Sequence, residues 1–286
     1  MTASLQPEEF DLMTSLGDVP RHHARTRGDK VALSFEGRET TFAALDANSN
    51  RTSAALTAAG VKAGDRVCYF GKNSDHYFEL LFAVMKLGAV IAPIGWRLST
   101  EEVAYIIDDA QCGLLFVGAE CVEVAEAAAA QSASRPAIIV MESGAHAHPV
   151  FEAWRDAHPA EDLNVAVAPE ATALILYTSG TTGRPKGVML TSANILRSRR
   201  KLAEASMGWN EWKQGEVSYC AMPVAHIGGT GWCLVGLVNG VKNVVARDFN
   251  PMEALEVIQR ERVAKMFMVP AALQFVIRTP RAREID

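Results

Sequence analysis

Short apolar runs alternate with amphipathic stretches along most of this 286-residue chain. Each run is too short for a typical helix, and turn residues such as Gly37 and Gly60 lie between the segments. The predicted strands cover 31–36, 66–70, 89–94, 114–117, 137–141, 173–177, 187–190, 217–221, 241–246 and 266–269. Strands that alternate with helices are typical of α/β proteins, because the connecting helices pack on the sheet. The sequence therefore predicts an α/β fold with layered, largely parallel sheets and helices on both faces.

Residues that favour helix ends support this pattern. Thr41, Ser74 and Ser99 each precede a helical stretch, and Ser99 with Glu102 forms a capping box. Ser192 is predicted to cap a later helix, and the pair Asn250-Pro251 to begin another. The predicted helices cover 42–59, 74–88, 99–110, 121–131, 150–157, 192–205, 251–261 and a segment from Pro270.

Composition excludes several classes of protein. The net charge is −5, whereas nucleic-acid binders usually carry basic patches. The N-terminal residues have no apolar core of a secretory signal, and the longest apolar stretch, 78–96, is interrupted by Glu79, Lys86 and Gly88. A transmembrane segment is therefore not predicted. Five scattered cysteines have no metal-ligand spacing, which predicts reduced thiols in the core of a cytoplasmic protein.

Residues 178–187, Thr-Ser-Gly-Thr-Thr-Gly-Arg-Pro-Lys-Gly, follow the apolar strand 173–177. Glycines allow the backbone to approach a ligand, and backbone N–H groups in such a loop can converge on an anion. Four hydroxyl groups and one lysine add donors for phosphate oxygens. The predicted phosphate-binding residues are Thr178, Ser179, Gly180, Thr181, Thr182, Gly183, Lys186 and Gly187.

The loop is not a P-loop, because Lys186 is followed by Gly187 and not by serine or threonine. A P-loop also leads into a helix, whereas 187–190 is an apolar, strand-like run. A P-loop kinase or NTPase is therefore disfavoured. An ordinary Gly/Thr turn would rarely contain ten consecutive residues of this kind.

The loop closely resembles the ATP-binding signature of the adenylate-forming, AMP-binding superfamily. Other segments also resemble this superfamily: 64–67 with Asn73-Ser74, 86–93, 222–229 and 269–273. The resemblance covers roughly residues 28–280. It implies an N-terminal segment, 1–27, followed by an incomplete AMP-binding domain, 28–286. A polar stretch at 143–168 predicts that two α/β subdomains meet near 143–170.

The resemblance implies ATP-dependent activation of a carboxylic acid, with an acyl-adenylate intermediate and transfer to CoA. Among the functions of this superfamily, we favour an acyl-CoA synthetase of fatty-acid metabolism, which uses ATP, Mg²⁺ and CoA. The expected catalytic lysine and the magnesium-binding acid would lie beyond Asp286, so the chain is expected to be the N-terminal portion of a longer enzyme without its C-terminal domain. No metal ligand is assigned within the chain.

The segment 222–229 contains the predicted acid-binding residues. The resemblance implies that His226, Gly228 and Gly229 lie beside the carboxylate substrate, although His226 could also be a loop histidine without a role. The superfamily often has an aromatic residue before this histidine, and here it is Ala225. Small residues from Gly228 to Gly240 either leave room for the acid or allow close helix packing.

Two basic clusters are predicted to be solvated. One contains Arg197, Arg199, Arg200 and Lys201, for which CoA phosphates or an acidic membrane surface are alternative ligands. The other contains Arg21, His22, His23, Arg25 and Arg27.

Other functions stay open. The chain could be an aryl-CoA ligase, an acyl-AMP ligase, a peptide-synthetase adenylation domain, or a nucleotide-binding fragment without catalysis. Homodimerisation and peripheral membrane contact also stay open.

Overall fold

The computed structural model describes residue 5 and residues 7–178, 184–205, 207–213 and 215–284. The helices in these ranges are α1 (Asp18–Arg27), α2 (Phe42–Ala58), α3 (Asp75–Lys86), α4 (Thr100–Asp109), α5 (Val122–Gln131), α6 (Phe151–Asp156), α7 (Ser192–Glu204), α8 (Ile227–Val238), α9 (Pro251–Glu261) and α10 (Pro270–Arg278). The strands are β1 (Val31–Phe35), β2 (Arg38–Thr41), β3 (Arg66–Phe70), β4 (Val90–Ile94), β5 (Leu114–Val117), β6 (Ala137–Val140), β7 (Thr172–Thr178), β8 (Lys186–Thr191), β9 (Val217–Cys220), β10 (Lys242–Val245) and β11 (Lys265–Met266).

Most predicted elements are confirmed to within one or two residues at each end. Thr41, Ser74 and Ser99 cap α2, α3 and α4 through side-chain oxygens that accept backbone N–H hydrogen bonds. Glu102 completes the predicted capping box with Ser99. These agreements concern local features, which depend on nearby residues and not on the tertiary fold.

The predicted cap of α7 is wrong by one residue. Thr191, and not Ser192, is the capping residue: its Oγ1 accepts from the N–H of Asn194 at 3.0 Å, and the Asn194 side chain accepts from the N–H of Thr191. The Ser192 hydroxyl instead accepts from the N–H of Leu16, at 3.1 Å. Ser192 is already helical, so its side chain is free to bind the N-terminal segment.

The predicted strand 266–269 is also wrong in its extent. Only Lys265–Met266 pairs with β9, where Lys265 is opposite Ser218 and Met266 opposite Tyr219. The partner strand β9 ends at Cys220, one residue further on. The ladder therefore ends while the apolar run continues.

The described strands form two largely parallel sheets, as predicted. The order of the six-stranded sheet is β6-β5-β3-β4-β7-β8, and only β8 is antiparallel to its neighbour. The order of the five-stranded sheet is β11-β9-β10-β1-β2, with β2 antiparallel to β1. The sequence does not predict β2, a polar edge strand of composition Arg-Glu-Thr-Thr.

The sheets do not divide along the chain at 143–170. Strands β1 and β2 pair with the late strands β9–β11, whereas β7 and β8 extend the sheet built by β3–β6. Strand order depends on contacts between distant segments, which a polar connection in the sequence cannot indicate. The division of the chain into subdomains near 143–170 stays a prediction.

Helices cover both faces of each sheet. An apolar cluster that contains Ile106 of α4 and Ala125 of α5 packs on one face of the six-stranded sheet. The other face contacts a central layer that includes α2, α3 and α8, and all twelve residues of α3 are buried. Leu255 of α9 and Val276 of α10 cover the outer face of the five-stranded sheet. The helices thus alternate with the sheets in layers, and the two sheets share the central core.

The described part of the N-terminal segment contains α1, which corrects the prediction that His22 and His23 are solvated. His22 and His23 are buried in α1, and the His23 ring lies 4.9 Å from the ring of Phe42. His23 Nε2 lies 2.9 Å from the carbonyl oxygen of Val238. Arg25 is exposed, as predicted, whereas Arg21 pairs with Asp162 and Arg27 donates to the carbonyl oxygens of Asn239 and Gly240. High charge density concealed in the sequence that this helix packs against the core.

Other global predictions concern the membrane and the cysteines. None of the helices in the described ranges combines the length and apolarity needed to cross a membrane. All five cysteines are free and buried, as predicted.

Candidate active site

The signature segment joins two paired strands. Thr178 at the end of β7 is opposite Lys186 at the start of β8, and the Thr178 hydroxyl donates a weak hydrogen bond to the Lys186 carbonyl oxygen at 3.4 Å. Both residues are exposed. Ser179, Gly180, Thr181, Thr182 and Gly183 lie outside the described residues, so their predicted phosphate contacts stay predictions. The two ends of the segment are nevertheless held side by side.

Gly187 has a reason of its own to be glycine. A Cβ atom at this position would lie 2.8 Å from Cγ2 of Ile175 and 3.2 Å from Cζ of Tyr177 on the neighbouring strand. Cross-strand packing therefore requires glycine at 187, in addition to any contact of its backbone with a ligand.

A cleft of about 400 Å³ opens at the carboxyl ends of β4, β7 and β9. In open α/β sheets this edge is the usual place for ligands. The lining includes Thr178 and Pro185 from the two ends of the signature segment and His226 from the other sheet. Described residues of the two predicted sites, Thr178 and Pro185 of one and His226 of the other, thus line one cleft.

His226 is the N-cap residue of α8, and its side chain is exposed. The His226 carbonyl oxygen accepts from the N–H of Gly229 at 2.9 Å and of Thr230 at 3.2 Å. The ring forms no hydrogen bond with a described residue, so it is available to a ligand in the cleft. The N-terminus of a helix favours negative charge, which suits a carboxylate at this place.

A buried asparagine, whose role the sequence did not reveal, positions the loop that contains His226. Asn73 Nδ2 donates to the carbonyl oxygens of Met222 at 3.1 Å and Ala246 at 2.9 Å. The N–H of Val224 donates to Asn73 Oδ1 at 2.9 Å. Asn73 follows β3, whereas its partners follow β9 and β10. One side chain thus joins the carboxyl edges of the two sheets.

A second buried chain of hydrogen bonds holds the start of α8. The Thr230 hydroxyl lies 2.6 Å from the Val224 carbonyl oxygen and 2.7 Å from the Tyr77 hydroxyl. Burial raises the pKa of Tyr77, so its phenol stays protonated and can donate. The loop before α8 is therefore fixed at Val224, and the first turn of α8 at Thr230.

The rim of the first cleft carries positive charge. Lys72 Nζ lies 4.4 Å, and the guanidinium carbon of Arg97 4.3 Å, from the centre of the Trp96 ring. Both cations also contact one carboxylate, that of Asp248, at 3.3 and 3.7 Å. Glu120 lies close as well, because its Oε1 accepts from the backbone N–H of Lys72 at 2.8 Å. Lys72 and Arg97 are thus cations near the cleft that could contact a phosphate. The sequence offers little signal for this arrangement, because Lys72, Trp96 and Asp248 lie far apart in the chain.

A second cleft, of about 430 Å³, begins beside the first. His226 lines the first cleft, and the next residues, Ile227 and Gly228, line the second. The remaining wall is mostly apolar: Leu190, Ile195, Trp209, Gly231, Trp232, Val235 and Phe267. An acid with its carboxylate near His226 could therefore extend an apolar tail into this cleft.

The glycines of α8 have two different roles. A Cβ on Gly228 would lie 2.6 Å from the Phe267 ring, within the second cleft. A Cβ on Gly229 would lie 2.1 Å from the Pro223 carbonyl oxygen, and one on Gly236 would lie 2.0 Å from Asn243 Oδ1. Gly228 therefore borders cleft space, whereas Gly229 and Gly236 permit close packing. Gly229 lines neither cleft.

Most of the basic cluster on α7 is solvated, as predicted. Arg197 pairs with Glu170 at 2.6 Å, and Arg200 pairs with Glu204 at 2.9 Å and with Asp11. Arg199 is the exception, because it is half-buried and lines the second cleft.

Comparisons with known proteins agree with this architecture. The family model of the AMP-binding enzymes matches residues 20–285. The chain is 36% identical over 269 residues to a fatty acid–[acyl-carrier-protein] ligase, ScoC, of Streptomyces coeruleorubidus, covering 94% of this chain and 50% of that protein. It is 33% identical over 273 residues to a feruloyl-CoA synthase of an Amycolatopsis species, covering 95% of this chain and 52% of that protein.

A solved structure has the same fold. The inhibitor-bound N-terminal domain of FACL13 from Mycobacterium tuberculosis superposes with a TM-score of 0.82 at 27% identity, covering 96% of this chain and 67% of that one. The chain therefore belongs to the AMP-binding enzyme family. It spans about half the length of the curated relatives it matches.

Proposed function

We propose that this chain supplies the ATP-phosphate loop and the acid-binding clefts of an acyl-adenylate-forming ligase. One observation carries the proposal: the ends of the signature segment, at Thr178 and Pro185, and His226 line the same cleft, and an apolar cleft begins beside His226. A phosphate donor and a carboxylic acid could thus meet at one edge of the fold.

In the proposed first step, a carboxylate oxygen of the acid attacks the α-phosphorus of ATP. The bond between this phosphorus and the bridging oxygen breaks, and pyrophosphate leaves. Positioning and charge neutralisation dominate such phosphoryl chemistry. The 178–187 loop would hold the β- and γ-phosphates, and donors preorganised around the developing charge would lower the barrier.

In the proposed second step, the CoA thiol attacks the acyl carbonyl carbon. AMP leaves with the electron pair of the broken acyl–phosphate bond, and the thiol proton is released. The positive rim formed by Lys72 and Arg97 supports binding of a phosphorylated partner near this cleft.

His226 is proposed to orient the acid. Its exposed ring and the N-terminus of α8 would both contact the carboxylate. Asn73 and Thr230 act indirectly, because they hold the loop in which His226 lies.

An acid with a long aliphatic chain, like that of a fatty acid, is the proposed substrate class, because the second cleft is largely apolar. An aryl acid remains the alternative within the same family. Magnesium stays a prediction: within the described ranges, no group of three or more His, Cys, Asp or Glu side chains is arranged to hold a metal. We also propose a cytoplasmic location and a homodimer.

Carboxylate-dependent exchange between ATP and labelled pyrophosphate tests the function. The assay should compare the 286-residue chain with a whole protein that contains it, over aliphatic and aromatic acids. Exchange that depends on one class of acid would support adenylation and define the class. No exchange by the whole protein with any acid would contradict the proposal.

A further inference from the structure

The second cleft contains an isolated positive charge. Arg199 projects from α7 into a lining that is otherwise largely apolar, and no acidic side chain is among the described residues that line this cleft. Burial lowers the pKa of Arg199, and no opposing contribution from a carboxylate accompanies it. An arginine remains charged even so, because its ordinary pKa is very high.

Arg199 has no partner within the described part of the chain. It forms neither an ion pair nor a hydrogen bond there, whereas its neighbours Arg197 and Arg200 are both paired with carboxylates. A partly desolvated guanidinium without an anion is unfavourable, because its lost hydration is not replaced. The arrangement therefore favours a ligand that supplies an acceptor.

The other polar side chains of this cleft offer Arg199 few hydrogen-bond acceptors, because most of them already bond to the backbone. The Ser198 hydroxyl donates to the Ile195 carbonyl oxygen at 2.7 Å, and the Trp232 indole N–H donates to the Tyr219 carbonyl oxygen at 3.1 Å. Asn194 accepts a hydrogen bond from Thr191 through Oδ1, and its amide N–H₂ has no described partner. Arg199 and Asn194, on the same helix, thus present unused donors to the cleft.

We propose that the acid bound here carries a second anionic group, which is recognised by Arg199. The inference rests on the proposed function, because it assumes that the first carboxylate is the one activated beside His226. The spacer would lie along the apolar face of α8, where cleft residues from Ile227 to Val235 span about 12 Å. The simplest such ligand is a straight-chain dicarboxylic acid activated at one end.

Guanidinium chemistry explains why an anion is chosen. Arginine binds a carboxylate through two parallel N–H···O bonds, and such charge-assisted bonds are roughly twice as strong as neutral ones. A methyl-terminated fatty acid would leave this donor unpaired and would bring a hydrocarbon end against a charge.

A binding measurement tests the inference without requiring catalysis. Trp209 and Trp232 line the cleft, so ligand binding is expected to change tryptophan fluorescence. Titrations should compare matched pairs, octanoic with octanedioic acid and decanoic with decanedioic acid. We expect the diacid of each pair to bind at least about tenfold more tightly.

Variants assign the preference to one side chain. Arg199→Met, which keeps much of the length and removes the charge, should abolish the preference, so that the two acids of each pair bind about equally. Arg199→Lys should retain part of it, because lysine supplies charge without the planar pair of donors. Arg197→Met, on the same helix but in an exposed ion pair, is the matched control and should leave the preference unchanged.

ATP–pyrophosphate exchange with the same acids separates this inference from the proposed function. Tighter binding or faster exchange with monoacids than with diacids would overturn the inference and leave the ligase function standing. A diacid preference that survives in Arg199→Met would also overturn it. Failure of every acid in both assays would overturn the function and the inference together.

Discussion

The N–H of Val224 donates a hydrogen bond to Asn73 Oδ1 at 2.9 Å, although the two residues are 151 positions apart in the chain. Asn73 lies in the loop between β3 of one sheet and α3, and Val224 lies in the loop after β9 of the other sheet. This contact sets the place of His226, two residues beyond Val224, relative to the end of the signature strand. The geometry of the proposed site therefore depends on a residue with no chemical role of its own.

Asn73→Ala is expected to destabilise the fold. The substitution leaves the N–H of Val224 and the carbonyl oxygens of Met222 and Ala246 without their partner, at a cost of about 2–4 kcal/mol in the free energy of unfolding. Urea denaturation measures this value, and Lys62→Ala, on the exposed surface, is the control. A loss below about 0.5 kcal/mol would show that the network contributes little.

His23 is expected to make the fold sensitive to acid. Burial lowers the pKa of His23 to about 3 from an ordinary value of 6.5, so the unfolded chain takes up a proton more readily than the folded one. This contribution to stability is present above the unfolded pKa and is lost as the pH falls towards the folded pKa. His23→Gln should therefore show a shallower fall in unfolding free energy between about pH 7 and pH 4 than the wild type. His158→Gln, at a partly exposed position, is the control, and equal slopes in the wild type and His23→Gln would contradict the prediction.

Removing donors from the signature loop should slow adenylation. The double variant Lys186→Ala with Thr181→Ala is expected to reduce ATP–pyrophosphate exchange at least tenfold, equivalent to about 1.4 kcal/mol in the activation free energy. The Lys186 side chain is exposed, so its removal should leave the unfolding free energy within about 0.5 kcal/mol. Unchanged kinetics would remove these two residues from the proposed phosphate site.

Gly228→Ala should narrow the second cleft. The new Cβ would lie 2.6 Å from the Phe267 ring, so the ring must move. Because both residues line the second cleft, the added methyl group and the displaced ring would take up space in it. We expect binding of decanoic and decanedioic acids to weaken more than binding of butanoic acid, as followed by tryptophan fluorescence. Gly113→Ala is the control, because nothing lies within 4 Å of a Cβ there and Gly113 lines neither cleft. Equal effects on short and long acids would argue against an acid tail in this cleft.

Gly229→Ala should act on stability instead. Its Cβ would lie 2.1 Å from the Pro223 carbonyl oxygen, and backbone cannot turn aside as a ring can. A loss of about 1–3 kcal/mol in unfolding free energy is expected, as for other overpacked sites. Thermal and urea unfolding measure it, and wild-type stability in this variant would mean that the loop before α8 adapts freely.

The elements that were predicted correctly from the sequence depend on interactions between neighbouring residues. Strand 66–70 and the caps Thr41, Ser74 and Ser99 follow from nearby residues, because hydrophobic periodicity and capping act over a few positions. The single-residue error at Thr191 has the same origin: two neighbouring hydroxyl residues can both cap, and only the contact of Ser192 with Leu16 decides between them.

The candidate site was predicted in part. The signature segment and His226 were identified from the sequence, and Thr178 and His226 do line one cleft. Asn73 as a link between the sheets, Arg199 as an unpaired charge and the positive rim at Lys72 were not identified. Each depends on which distant side chain lies nearby, and composition gives no information about that.

Short-range patterns in the sequence were sufficient to predict the class of fold, most strands and helices, and the loop that resembles an ATP-binding signature. Contacts between distant segments place β1 beside the late strands and bury His23 against Val238. They also leave Arg199 without a partner among the described residues, whereas Arg197 pairs with Glu170. The physical reason is that burial and pairing arise when segments far apart in the chain come into contact.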